Sequence, residues 1–328
     1  MTIKVWRFLA CCALAVMPFG ICGAQPRPST GASGPQALDP GFWKLIDHDA
    51  KLDVLGSGFG FTEGPVWMAN GDLMVSDETK NFIFRLGPDG HAEQLIALGD
   101  PDGNTVDTHG QLIDCASVLR AIIRITTDGK SYKVLADHFE GKKFNSPNDV
   151  TWGPDGALYF TDPNLDLVAG QKQEISFQGV YRLDASGKVT LLTQDLNEPN
   201  GLAFTPDKKF LFIDDSGKKN IRRYRFHPDG TISDGVIFAD ETVAGSSAVP
   251  DGMKFDKAGN LWVTGPGGIW IWSQKGRHLG TILVPQQPAN LTWGGKDRST
   301  LFITAGTSVY TIKTRTTGYL PPTQGGKW

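Results

Sequence analysis

Pro147-Asn148-Asp149-Val150-Thr151-Trp152-Gly153-Pro154-Asp155-Gly156-Ala157-Leu158-Tyr159-Phe160 holds, in order, a polar pair, a short apolar segment, a Pro-Asp-Gly turn and a second apolar segment. Two hydrophobic runs of strand length joined at hairpin spacing read as antiparallel neighbours. The unit returns along the chain, most regularly in its second apolar segment: Leu73-Met74-Val75, Leu112-Ile113, Leu158-Tyr159-Phe160, Leu211-Phe212-Ile213, Leu261-Trp262-Val263 and Leu301-Phe302-Ile303. The first residues of these six copies are 39, 46, 53, 50 and 40 positions apart, the period of a propeller blade and not of a helical solenoid. Other turns, Asp128-Gly129 and Pro228-Asp229-Gly230, fit the same scheme, and no helical apolar period of any length is present. A β-sandwich, the main rival, does not predict six copies of one motif. The expected fold is all-β, a six-bladed β-propeller.

Radial closure removes long exposed sheet edges and usually draws a strand from one terminus into the blade made by the other. Leu52-Asp53-Val54-Leu55 precedes the first repeat, so the propeller is expected to be closed by this N-terminal strand, beside Ser308-Val309-Tyr310-Thr311-Ile312. The propeller is assigned to residues 41–316 and a C-terminal tail to 317–328. Residues 25–40, rich in Pro, Gly and Ser without apolar periodicity, read as a flexible linker.

Lys4 and Arg7 precede an apolar stretch, Phe8 to Ala24, that is short and broken by Pro18 and Gly20. Residues 1–24 therefore read as a secretory signal peptide cleaved after Ala24, in preference to a retained anchor or to lipidation at Cys22. The expected location is the periplasm or the exterior of the cell. With Cys11, Cys12 and Cys22 in the leader, Cys115 alone remains. No intramolecular disulfide is then available, and this thiol, set in the run Leu112-Ile113-Asp114-Cys115, reads as core packing. The net charge of −3 becomes −5 when Lys4 and Arg7 leave with the leader, which excludes attraction to nucleic acid or to an anionic membrane. No segment marks an obligate protein partner.

The chemistry lies just before each first strand. There stand Glu63, Asn148, Asn200, Asp251 and Asn290, each 10 or 11 positions ahead of its blade's second strand, with Asn104 a weaker counterpart 8 positions ahead of Leu112. Equivalent positions in a rotational repeat converge on its axis. An Asn or Asp before Gly often makes only a turn, but five in register, one of them a Glu with no turn preference, point to a site. Two carboxylates and several amide oxygens form a hard, oxygen-only set suited to one divalent cation. Ca²⁺, Mg²⁺ and Mn²⁺ match the ligand type, and Zn²⁺ matches it less well. No Gly-x-Ser-x-Gly elbow is present to support a serine-hydrolase mechanism.

Phe61-Thr62-Glu63-Gly64-Pro65-Val66-Trp67, Asn145-Ser146-Pro147-Asn148-Asp149-Val150, Pro199-Asn200-Gly201-Leu202-Ala203-Phe204, Pro250-Asp251-Gly252-Met253 and Thr304-Ala305-Gly306-Thr307-Ser308 together resemble the senescence marker protein/gluconolactonase family. That family comprises six-bladed, calcium-type lactonases, and the diisopropyl fluorophosphatases are its distant relatives. The resemblance implies that Glu63, Asn200 and Asp251 bind the metal, that Asn148 joins them or holds substrate, and that Asp149 lies beside them. It implies a metal-dependent lactonase opening a small-molecule sugar lactone, with Ca²⁺ the first expectation for the metal. Asn148, Asn104 and Asn290 are the candidates for holding substrate.

The metal would polarise the lactone carbonyl, while Asp251 or Asp149 takes a proton from the attacking water. Two departures fall where substrate is chosen: Cys115-Ala116-Ser117 replaces the family's Cys-Glu-His, and Asp162-Pro163-Asn164-Leu165-Asp166 replaces Asp-Pro-Pro-Tyr-Gly. The stretch from Asn164 to Phe177 is expected to form a loop over the mouth. A phosphotriesterase or arylesterase on the same metal, and a non-catalytic binding propeller, remain the alternatives. Trp67, Trp152, Trp262, Trp270 and Trp293 read as packing between blades, not as a sugar-stacking platform.

Overall fold

The structure, a computed structural model, describes residues 33–320. The expected signal peptide, the linker as far as residue 32 and the tail from residue 321 lie outside the described residues. Six antiparallel sheets of four or five strands follow one another around the propeller, with one further two-stranded hairpin, His138–Phe139 with Lys142–Lys143, between the second and third. Their innermost strands are Thr62–Trp67, Pro101–Val106, Val150–Trp152, Pro199–Phe204, Met253–Phe255 and Pro288–Gly294. The six predicted second strands all form, each paired to the innermost strand of its own blade. Two short 3₁₀ turns are the only helical segments among the described residues, and no helix there is long and apolar enough to cross a membrane.

The closing strand is where the sequence places it. Leu52–Ser57 pairs antiparallel with Ser308–Lys313, with Leu52 opposite Ile312 and Asp53 opposite Thr311. The sixth blade thus takes three strands from the end of the chain and one from its beginning.

Side chains alternate across a strand, so each blade packs against both neighbours, and the apolar core divides into one cluster per blade interface. Ile113 and Cys115 face the third blade, joining Val150, Trp152, Phe160 and Tyr181. Leu112 and Ala116, on the other side of the same strand, join Val66, Met74 and Ile83 of the first blade. Trp262 and Trp293 meet edge to face between blades five and six, 5.0 Å apart. Trp152, Trp262 and Trp293 are fully buried, which bears out the packing role, and Cys115 is a buried free thiol.

The linker expectation is corrected. Gly34–Ala37 is a strand and extends the fifth blade, with Gly34 opposite Leu283 and Ala37 opposite Gly280. Its main-chain groups complete a sheet edge, and Phe42, just beyond, is buried in the cluster between blades five and six, so backbone pairing orders a segment that lacks its own apolar pattern. At the other end the fold runs past residue 316: Gly318 bridges to Asp256, and Tyr319 N–H donates to Phe255 O at 2.9 Å.

Candidate active site

Four of the six innermost strands carry a β-bulge at the same end, at Glu63–Val66, Pro101–Asn104, Pro199–Leu202 and Pro288–Asn290. A bulge leaves one residue unpaired and re-aims its neighbours. At this end the side chains of the six blades meet. Asn290 Nδ2 of blade six donates to Glu63 Oε2 of blade one at 2.9 Å, and Asn148 Nδ2 of blade three donates to Asp102 Oδ2 of blade two at 2.7 Å. The Asn200 side chain hydrogen-bonds Asp251, and Asp149 feels the Asn290 amide. Glu63, Asn148, Asn200, Asp251 and Asn290 therefore converge as the repeat predicts, with Asp149 beside them.

Asn104 is not the blade-two member. Asp102 stands 10 positions before Leu112, the spacing of Glu63, Asn148 and Asp251 in their own blades. Asn104 lies deeper, opposite Asp114. Its Nδ2 is committed to Gly64 O, Ser76 Oγ and Asp102 O. Pro101-Asp102-Gly103 has the composition of a turn but lies in a bulged strand. The signal that could have identified it is its match to Pro250-Asp251-Gly252.

The glycine after several ring residues also has a steric role in place of a turn role. A Cβ on Gly201 would sit 2.0 Å from Asp251 O, and one on Gly64 would sit 2.0 Å from Asp102 O. The inner strands of adjacent blades touch there through backbone, as Gly201 N–H donates to Asp251 O at 2.9 Å. The ring is thus as narrow as main-chain contact allows.

Burial dominates the electrostatics. It raises Glu63 to about 7, opposed by the Gly64 N–H, reinforced by the charge of Asp149 and opposed again by the Asn290 amide and Lys254. Burial also raises Asp149, against the lowering influence of Lys254, whose Nζ lies 3.9 Å from Asp149 Oδ2. Asp251 and Asp102 are pushed well above the usual carboxylate range by burial and by neighbouring carboxylates. Above the ring, Glu78 is pushed to about 10 by burial and by Glu63, Asp166, Asp100 and Asp251.

Asp166 belongs to the expected loop over the mouth, which is anchored by Asp166 N–H on Ser146 Oγ at 3.1 Å and by Asn145 Nδ2 on Phe177 O at 2.9 Å. Ser117 spends its hydroxyl on Pro147 O at 2.7 Å, tying blade two to blade three. Glu78, Asp100 and Asp166 were not legible as site residues, because each sits in a connecting segment outside the repeat.

A divalent cation fits this donor set. Glu63 Oε1 and Asp149 Oδ2 are buried without a hydrogen-bond partner, and negative charge concentrated out of water seeks a cation. Among the described residues no three His, Cys, Asp or Glu side chains form a chelating group. A cation here therefore needs the amide oxygens as well, the mixed set that suits Ca²⁺ and other hard ions.

Comparison with known proteins agrees with this architecture. The gluconolactonase of Zymomonas mobilis is 34% identical over 302 residues, covering 84% of each chain. A 6-deoxy-6-sulfogluconolactonase of Pseudomonas putida is 30% identical over 252 residues, 74% of this chain and 82% of that one. The solved gluconolactonase XC5397 of Xanthomonas campestris superposes with a TM-score of 0.79 at 30% identity, over 86% of this chain and 95% of its own. Residues 61–307, from the strand that carries Glu63 to the last blade, match the SMP-30/Gluconolactonase/LRE-like region, and the chain is a member of that family.

Proposed function

We propose that this protein is a metal-dependent hydrolase that opens sugar lactones of the aldonolactone type, working outside the cytoplasm after loss of residues 1–24. The observation that carries the reading is the ring itself: carboxylates and amides from all six blades converge at one channel mouth, with Glu63 Oε1 and Asp149 Oδ2 buried and without a hydrogen-bond partner. The lactonases among its relatives support the substrate class.

Glu63, Asn200 and Asp251 would hold the cation, with Asn148 completing the set or contacting substrate. Bound there, the metal would act as a Lewis acid on the lactone carbonyl. Asp251 is the proposed general base. It is the half-buried carboxylate of the ring, whereas Asp149 is buried. Asp149 also commits Oδ1 to the Val150 N–H at 2.8 Å. Burial and the neighbouring carboxylates favour the protonated form of Asp251 in the metal-free ring, and a bound cation would favour the ionised form that a base requires. Asp149, beside Lys254, contributes negative charge and holds the ring in place through Asn290. Asn290, with one amide N–H on Glu63 and Oδ1 accepting from Leu291 N–H at 2.8 Å, fixes the Glu63 carboxylate.

The test is aldonolactone opening by protein stripped with a chelator and then supplied in turn with Ca²⁺, Mg²⁺, Mn²⁺ and Zn²⁺. Activity should vanish on stripping and return with at least one cation. Absence of turnover with every cation would remove the reading. Intact mass of the exported protein checks cleavage after Ala24.

A further inference from the structure

The channel has a second end. The turns that join each first strand to its second mark the face opposite the ring, and there the structure holds a cavity of about 810 Å³, walled by the innermost strands of five blades. Its wall is a second tier of the repeat. Val66, Thr105, Thr151, Ala203, Lys254 and Thr292 each pair with the residue after the repeated leucine of their blade's second strand, Met74, Ile113, Tyr159, Phe212, Trp262 and Phe302 respectively. All but Ala203 line the cavity, and Lys296 and Arg298 stand at its rim on the Gly294–Thr300 turn.

The chemistry of this wall is one-sided. Lys254, Lys296 and Arg298 bring three cations into a protein of net charge −3. Asp107 is the acid on the wall, and it is already engaged: Oδ1 accepts the His109 and Gln111 N–H groups and Oδ2 lies 3.6 Å from Arg124 Nε. Asp297, beside the rim, is 3.6 Å from Lys313 and accepts from Ser299. Lys254 is the least exposed cation of the three, half-buried with its side chain 21% exposed, and it shares its charge with Asp149 of the ring. Trp67, stacked on Phe302 at 5.0 Å, supplies an aromatic face to the same wall.

We propose that this rear cavity is a binding site for a small hydroxylated oxyanion, with sugar acids of the kind that lactone opening releases as its first ligand class. Cations face the charged end, threonine hydroxyls and Trp67 face the polyol, and the wall offers no uncommitted acid to repel the ligand. The naming of a sugar acid rests on the lactonase reading; the anion site does not.

The experiment is calorimetric titration of gluconate, and separately of inorganic phosphate, into the full chain, with substitutions at the rear rim distinguishing this cavity from the mouth. Gluconate should bind, and adding Lys296→Gln with Arg298→Gln should weaken it by about tenfold or more through loss of two charge-assisted contacts. A second variant, Lys254→Met, should weaken it too, with circular dichroism confirming the fold. Gluconate binding that is absent, or indifferent to the rim substitutions, overturns the site. Phosphate bound in preference to gluconate with the same dependence overturns the sugar-acid assignment. Failure of lactone turnover alongside rim-dependent gluconate binding would sink the proposed activity and leave this site standing.

Discussion

The two tiers of the channel are made by the same six strands, a few residues apart, and their chemistry is opposite. The mouth tier gathers Glu63, Asp102, Asn148, Asp149, Asn200, Asp251 and Asn290, carboxylates and amides linked by hydrogen bonds whose oxygens suit a cation. The lower tier presents valine, alanine, three threonines and Lys254. Rotational repetition supplies both rings of positions at no extra structural cost, and the side chains alone decide what each ring does. At the mouth, backbone contact at Gly64 and Gly201 brings adjacent inner strands together, while the lower tier opens into the rear cavity.

The sharpest way to break this contrast is to exchange chemistry without changing shape. Asp251→Asn retains an oxygen ligand but removes the charge and the base. Aldonolactone turnover is expected to fall by about 10² or more, the range of general-base loss, with the fold intact by circular dichroism. Ala203→Ser, in the lower tier of blade four, should turn over near the wild-type rate. Comparable losses from both substitutions would erase the distinction between the tiers.

Glu63→Gln probes metal holding. Asn290 and the Gly64 N–H still position the side chain, so the loss should fall on cation affinity, roughly tenfold, and excess metal should recover part of the activity. A calorimetric affinity equal to that of the wild type would exclude Glu63 as a ligand.

A smaller effect distinguishes the mouth by pH. Without a cation, folded Glu63 holds its proton up to about 7, against an ordinary value of 4.5. Between these values the folded state binds more protons than the unfolded chain, so stability is greatest at low pH and declines as pH rises through about 7, by at most about 3 kcal/mol. The melting temperature of chelated protein should therefore drop between pH 5 and pH 8, and added cation should reverse much of the drop. A rise over that interval contradicts the account.

The smallest change concerns the sheet behind the rings. Asp114 occupies a strand position where the other blades have Val75, Phe160, Ile213, Val263 and Ile303, and its two buried oxygens have no well-formed hydrogen bond, the Asp102 N–H being their nearest relief. Burial holds its carboxyl well above the usual range. Asp114→Val should stabilise the protein by about 1–3 kcal/mol, the desolvation cost relieved, read as a higher urea midpoint. A lower midpoint would show that the carboxyl has a structural partner.

The sequence by itself determined the six blades, the closing strand and five of the ring positions. Each of these rests on periodic apolar strands such as Leu158-Tyr159-Phe160 and Leu261-Trp262-Val263, or on a fixed offset from them, and a repeat makes local pattern equivalent to three-dimensional position. Tertiary structure decided the rest. Asp102 and not Asn104 completes the ring because a bulge resets the register within Pro101–Val106, and Pro-Asp-Gly reads the same in a turn as in a bulged strand. Gly34–Ala37 became a strand because a free sheet edge was available to pair with it, not because of its own composition. Lys254 joined the channel, and Lys296 and Arg298 its rear rim, only once ring closure brought residues far apart in the chain around one axis, a convergence to which no local signal corresponds.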